Sequence, residues 1–181
     1  MELIKNLKEI SVVKNLFLAI MGTIVLAISA KIKIPFWPVP MTMQTFVVLL
    51  IGIIYGWKLG LFTVSLYLLE GIAGLPVFAG TPEKGIGWIY FTSNTMGYLL
   101  GFLVAVFLAG YLKFNNNFFN NFFKLILSVS FIYILGLMWL GSLIGWDKPV
   151  FEFGAQPFLL AELFKVLILT LLIPKILRFR S

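Results

Sequence analysis

Long apolar runs separated by short polar clusters set the pattern of this chain. Six stand out, at roughly 12–30, 42–56, 58–74, 93–112, 123–145 and 156–177. An α-helix needs roughly 20 mostly apolar residues to cross about 30 Å of hydrocarbon. The second and third runs are short and are divided only by Tyr55-Gly56-Trp57-Lys58, which predicts a helical hairpin with a tight turn. Ahead of the first run, Leu3, Ile4, Leu7, Ile10 and Val13 recur at helical spacing between Lys5, Lys8 and Glu9. That is the pattern of an amphipathic helix lying on a membrane surface. The expected architecture is an all-α membrane protein, one six-transmembrane-helix bundle over residues 1–181.

Composition agrees. The chain is 61% hydrophobic and 12% charged, against about 45–50% and 25% in a soluble domain. It has no cysteine and no histidine, which closes Cys/His nucleophiles, thiolate metal sites and zinc-protease chemistry. No Gly-x-x-x-x-Gly-Lys-Ser/Thr loop is present, so ATP hydrolysis by that route is closed too. No metal or cofactor is expected. The basic start followed by an apolar run imitates a signal peptide, but the run is long for one and reads as a retained first span.

The net charge of +7 points to lipid headgroups and cytoplasmic loops rather than to nucleic acid. With the N-terminus inside, Lys5, Lys8, Lys14, Lys58, Lys113, Lys124, Lys175, Arg178 and Arg180 fall on the inner side. Only Lys31, Lys33, Lys84 and Lys148 fall outside. Both termini are expected in the cytoplasm. The external connections, roughly 31–41, 75–92 and 146–155, are the long ones, and long ordered loops on one face usually carry function. The internal cluster Asn115-Asn116-Asn117 and Asn120-Asn121 reads as a solvated turn.

Glu162 and Lys165 break the pattern, because they sit one helical turn apart inside the last run. An ion at the bilayer centre costs roughly 2.5–3.5 kcal/mol on insertion scales, so such a pair reads as a functional site. A neutralised pair that only holds helices together is the alternative. Counted from Gln156, the two lie about 9 and 13 Å down the helix at 1.5 Å per residue, within reach of a pocket opening outward. Gln44 enters the membrane just after Thr42, a candidate helix N-cap, and offers donors and an acceptor suited to a cyclic amide or urea. Pro35, Pro38 and Pro40 stiffen the segment before it. Phe78, Trp88 and Tyr90 are candidates for an apolar wall or for the aromatic belt at the interface. Lys84 is a candidate partner for a carboxylate. Glu70 reads as an interfacial acid. Ser93 and Asn94 are candidate caps of the fourth span, where Gly97-x-x-x-Gly101 marks close helix packing and Tyr98 both packs and faces a pocket. Ala19, Thr23 and Ala27 form a small-residue face on the first span, either internal packing or a docking surface.

Three segments together carry a resemblance: Val39-Pro40-Met41-Thr42-Met43-Gln44-Thr45, Tyr67-Leu68-Leu69-Glu70-Gly71-Ile72-Ala73-Gly74-Leu75-Pro76-Val77-Phe78-Ala79-Gly80, and Gly97-Tyr98-Leu99-Leu100-Gly101-Phe102. With Pro157-Phe158-Leu159 and Glu162-x-x-Lys165, they resemble the BioY family, the biotin-binding S components of energy-coupling factor (ECF) vitamin transporters. The family's last-helix pattern is Asp-x-x-Lys, and Glu162 stands at the acid. Its fourth-helix entry usually reads Gly-Pro-Thr-Gly-Gly-Tyr; here Thr95, Gly97 and Tyr98 are kept. The resemblance implies a non-enzymatic, multi-pass subunit of a bacterial plasma membrane that takes biotin from outside. It further implies a transmembrane coupling subunit and two ABC-type ATPase subunits as partners, docking on the Ala19, Thr23, Ala27 face. Glu162 and Gln44 would meet the ureido ring, and Lys165 or Lys84 the carboxylate. An S component for another vitamin and a small intramembrane enzyme using Glu162 and Lys165 are the other readings.

Overall fold

A computed structural model describes residues 2–34 and 41–180, with side chains from 11 to 33 and from 41 to 178. The three prolines of the first loop, and the side chains of Leu3, Ile4, Leu7 and Ile10, lie outside that description. In chain order the elements are α1 (Glu2–Lys31), β1 (Lys33–Ile34), β2 (Met41–Thr42), α2 (Gln44–Ile72), α3 (Trp88–Phe91), α4 (Met96–Tyr111), α5 (Phe118–Ile144), α6 (Val150–Gly154) and α7 (Gln156–Arg180).

Among the described residues, four helices are long and apolar enough to span a bilayer, namely α1 from Ser11, α2, α5 and α7 to Arg178; α4 is apolar but shorter. This is a helical membrane protein. α2 covers two of the apolar runs. It breaks at Gly56, whose φ of 74° and ψ of 170° are not helical and suit a residue without Cβ. Gln44 Nε2 lies 2.7 Å from the Tyr67 hydroxyl, although 23 residues of unbroken helix would separate them by about 34 Å. The two halves of α2 therefore fold back on each other as a hairpin.

Small residues set how closely the helices approach. A Cβ on Gly101 would come within 2.6 Å of Ile132 Cα, and one on Gly97 would collide with Leu135 and Trp139. The Gly-x-x-x-Gly face thus packs α4 on α5. Gly52 meets α4 in the same way, at Val106 and Ala109. On α1, Ala19, Thr23, Leu26 and Ala30 are buried while Val12, Phe17, Ile20, Ile24 and Ile28 are exposed, so one face turns to α2 and the other to the surroundings. Thr23 donates to Glu70 Oε1 at 3.0 Å. Of the small-residue face on α1, Ala19 and Thr23 are buried and Ala27 packs against the core, so these side chains make contacts within the chain.

Two local expectations change. Thr42 caps no helix; it pairs with Lys33 in a two-stranded antiparallel ladder, and Met43 precedes α2 without a side-chain cap. Ser93 and Asn94 do not cap α4 either, since Thr95 is the boundary residue. The asparagine cluster forms the solvated turn expected, with Asn115, Asn116 and Asn117 exposed. Asn117 caps α5 by accepting from the Asn120 amide at 3.0 Å, and Asn121, wholly buried, bonds the Asn115 backbone through both ends of its amide.

Candidate functional site

At the end of the bundle that carries the C-terminus of α1, the helices diverge around a cavity of about 480 Å³. Its polar side comes from Thr42, Gln44 and Thr45 at the start of α2. Tyr98, Leu99 and Phe102 of α4 and Ile132, Tyr133 and Leu140 of α5 form the wall. Phe153, Gly154 and Phe158 close one side, and Ala79 and Tyr90 belong to the segment that crosses the top. The lining is mostly apolar with a few placed polar groups, the usual character of a small-molecule site.

Behind the polar side lies the charged pair. Glu162 and Lys165 are both 3% exposed, and Lys165 Nζ lies 3.0 Å from Glu162 Oε2. The ammonium directs its other protons to the Thr42 carbonyl at 3.1 Å and the Thr45 hydroxyl at 2.8 Å. Glu162 Oε2 also accepts from Thr45 at 3.0 Å and from the Tyr133 hydroxyl at 3.1 Å. Such pairing offsets much of the desolvation that two buried ions suffer. Glu162 Oε1 is buried and has no hydrogen-bond partner among the described residues. A buried acceptor left unsatisfied costs about 1–3 kcal/mol, and an N–H donor placed beside it would recover that.

The pair does not itself line the cavity. Thr42, Thr45 and Tyr133 do, and each bonds one or both of the ions. Tyr98 lines the wall and donates to the Gly154 carbonyl at 2.8 Å, tying α4 to α6.

The segment over the cavity is held by its carbonyls. Tyr67 donates to Val77 O at 2.9 Å and Tyr90 to Ala79 O at 2.6 Å, and burial pushes the Tyr90 phenol up from its ordinary value. Lys31, at the end of α1, donates to Phe78 O at 3.0 Å and to Thr81 O at 2.7 Å. Phe78 stacks on Tyr90 at 5.0 Å and meets Tyr67 edge-on at 5.4 Å.

Of the binding residues expected from the sequence, Gln44, Tyr90 and Tyr98 line the cavity, and Glu162 and Lys165 stand one bond behind it. The rest are placed elsewhere. Phe78 is core beneath the loop. Trp88 is 62% exposed. Lys84 is exposed with its stem against Gly80. The apolar wall comes instead from Phe102, Phe153 and Phe158. Thr45, Tyr133 and Tyr67 were not singled out as site residues. The signal for the two tyrosines was a phenol inside an apolar run, since a buried hydroxyl requires a partner.

The sequence model of the BioY family matches residues 4–181. A probable biotin transporter BioY of Pyrococcus horikoshii is 31% identical over 158 residues, covering 87% of this chain and 89% of that protein. A biotin transporter BioY of Thermotoga maritima is 32% identical over 151 residues, covering 83% and 88%. In three dimensions the chain is similar to the crystal structure of the S-component for biotin from an ECF-type ABC transporter, with a TM-score of 0.75, 24% identity and 94% of each chain covered. At that identity the likeness is one of fold.

Proposed function

The chain belongs to the BioY family, and from that premise we propose that it is the high-affinity biotin-binding membrane subunit of an ECF-type vitamin uptake transporter. It is a transporter component rather than an enzyme. One observation carries the substrate reading: a mostly apolar cavity is backed by a buried carboxylate with one oxygen unpartnered among the described residues. Biotin offers two ureido N–H groups, a ureido carbonyl, an apolar bicycle and a pentanoate chain. Gln44 on the cavity lining suits the ureido ring, with Glu162 holding Thr45 and Tyr133 from behind, and Tyr98, Phe102 and Phe158 suit the bicycle.

Lys165 already directs its protons to protein oxygens. Its role in this reading is to hold Glu162 aimed, with the ligand carboxylate left at the open end of the cavity. The cation excess at the opposite end supports an outward-facing cavity with both termini in the cytoplasm of a bacterial cell, and the two halves of α2 beside α1, α4, α5 and α7 support six spans. A transmembrane coupling subunit and two ABC-type ATPase subunits would supply the energy that this chain, lacking a nucleotide loop, does not.

Equilibrium binding of labelled biotin to the purified protein tests the reading. Biotin is expected to bind and to resist competition by thiamine or riboflavin. Equal competition by either vitamin would sink the assignment of substrate.

A further inference from the structure

Tyr67 is wholly buried and is not among the residues lining the cavity, yet the direction of its hydrogen bonds decides what the cavity presents. The Val77 carbonyl can only accept, so the Tyr67 hydroxyl, 2.9 Å away, gives it its single proton. Tyr67 then has only lone pairs for its second neighbour, the Gln44 amide at 2.7 Å, and Gln44 must turn Nε2 toward it. With the nitrogen fixed, the amide has one orientation left, Oε1 on the side of Thr42. There the Thr42 hydroxyl makes only a long contact of 3.4 Å, which leaves the oxygen most of its acceptor capacity. Thr42 and Gln44 both line the cavity.

We infer that Tyr67 is a positioning residue, which fixes the Gln44 amide so that its carbonyl oxygen accepts a ring N–H of the bound ligand. This rests on the biotin reading of the site. Without the tyrosine hydroxyl either edge of the amide fits, and the flipped form sets N–H against N–H. The same hydroxyl holds Val77, two residues before Ala79 at the top of the cavity, so amide orientation and roof are set together.

A double-mutant cycle tests the assignment. Tyr67→Phe keeps the ring and its edge contact with Phe78, and it is expected to weaken biotin binding about tenfold, as for a lost buried hydrogen bond. In a Gln44→Met background the same change is expected to cost less than about twofold, because residues acting through each other are not additive. Equal losses in both backgrounds, or none in the first, overturn the assignment while leaving the biotin reading intact. If the wild-type protein binds no biotin, reading and assignment fall together.

Should Tyr67→Phe not fold, the wild-type chain supplies the deciding measurement. Its only glutamines are Gln44 and Gln156, so ¹⁵N-glutamine labelling resolves both side-chain amides. A Gln44 Nε2 proton exchanging far more slowly than those of exposed Gln156 upholds the assignment; equally fast exchange overturns it.

Discussion

Among the described residues Glu162 Oε2 gathers three donors while Oε1, on the same carboxylate, has none. In the proposed reading that asymmetry marks a site rather than a mere clamp between helices. A clamp would gain from satisfying both oxygens, whereas a receptor gains from leaving one for its ligand. Removing either ion strands the other in the interior, so Glu162→Gln and Lys165→Met should each destabilise the protein by about 3–5 kcal/mol. The double variant should recover part of that loss, because no uncompensated charge remains. Biotin binding should be lost in all of them. Thermal unfolding beside equilibrium binding checks this, and a double variant with the summed instability of the singles would refute the coupling. At this scale the sequence was partly legible. A charged pair inside an apolar run is conspicuous, whereas Thr45 and Tyr133 are ordinary residue types whose meaning depends on which helix faces which.

Helical elements were easier to read than their ends. Hydrophobic runs located every long helix, and the turn around Gly56 was visible as a polar, glycine-bearing break. The short α3 and α6 were not, since each spans a turn or so within a loop and makes no periodic pattern. Thr42 looked like a cap but joined a ladder with Lys33, a pairing that sequence periodicity cannot reveal over two residues. Ala19, Thr23 and Ala27 were legible as a close-packing face, but not which helix would meet it. Close packing has a direct test at Gly101, where a Cβ would meet the Ile132 backbone. Gly101→Val should force α4 from α5 and cost about 1–3 kcal/mol, the range for overpacking. Leu100→Val, at a position 36% exposed, should cost well under half of that. Equal Tm losses for the two would contradict the interface.

For the molecule as a whole, charge gave a direction that helix geometry alone does not. The cavity lies at the cation-poor end, so it should open outward. The chain contains no cysteine, which makes single introduced thiols clean reporters of sidedness. Lys84→Cys should react with an impermeant maleimide on intact cells and Asn116→Cys only after lysis; the reverse order would invert the topology. The central claim is that biotin occupies the cavity beneath the 75–91 segment. Ala79 lines that cavity from above, and Ala79→Trp would place an indole inside it. The most direct measurement is equilibrium binding of labelled biotin to wild type and to this variant, both shown folded by thermal unfolding. The account predicts saturable binding by the wild type and at least a hundredfold loss in the variant, about 2.7 kcal/mol. Undiminished affinity in folded Ala79→Trp would put the vitamin somewhere else and contradict it.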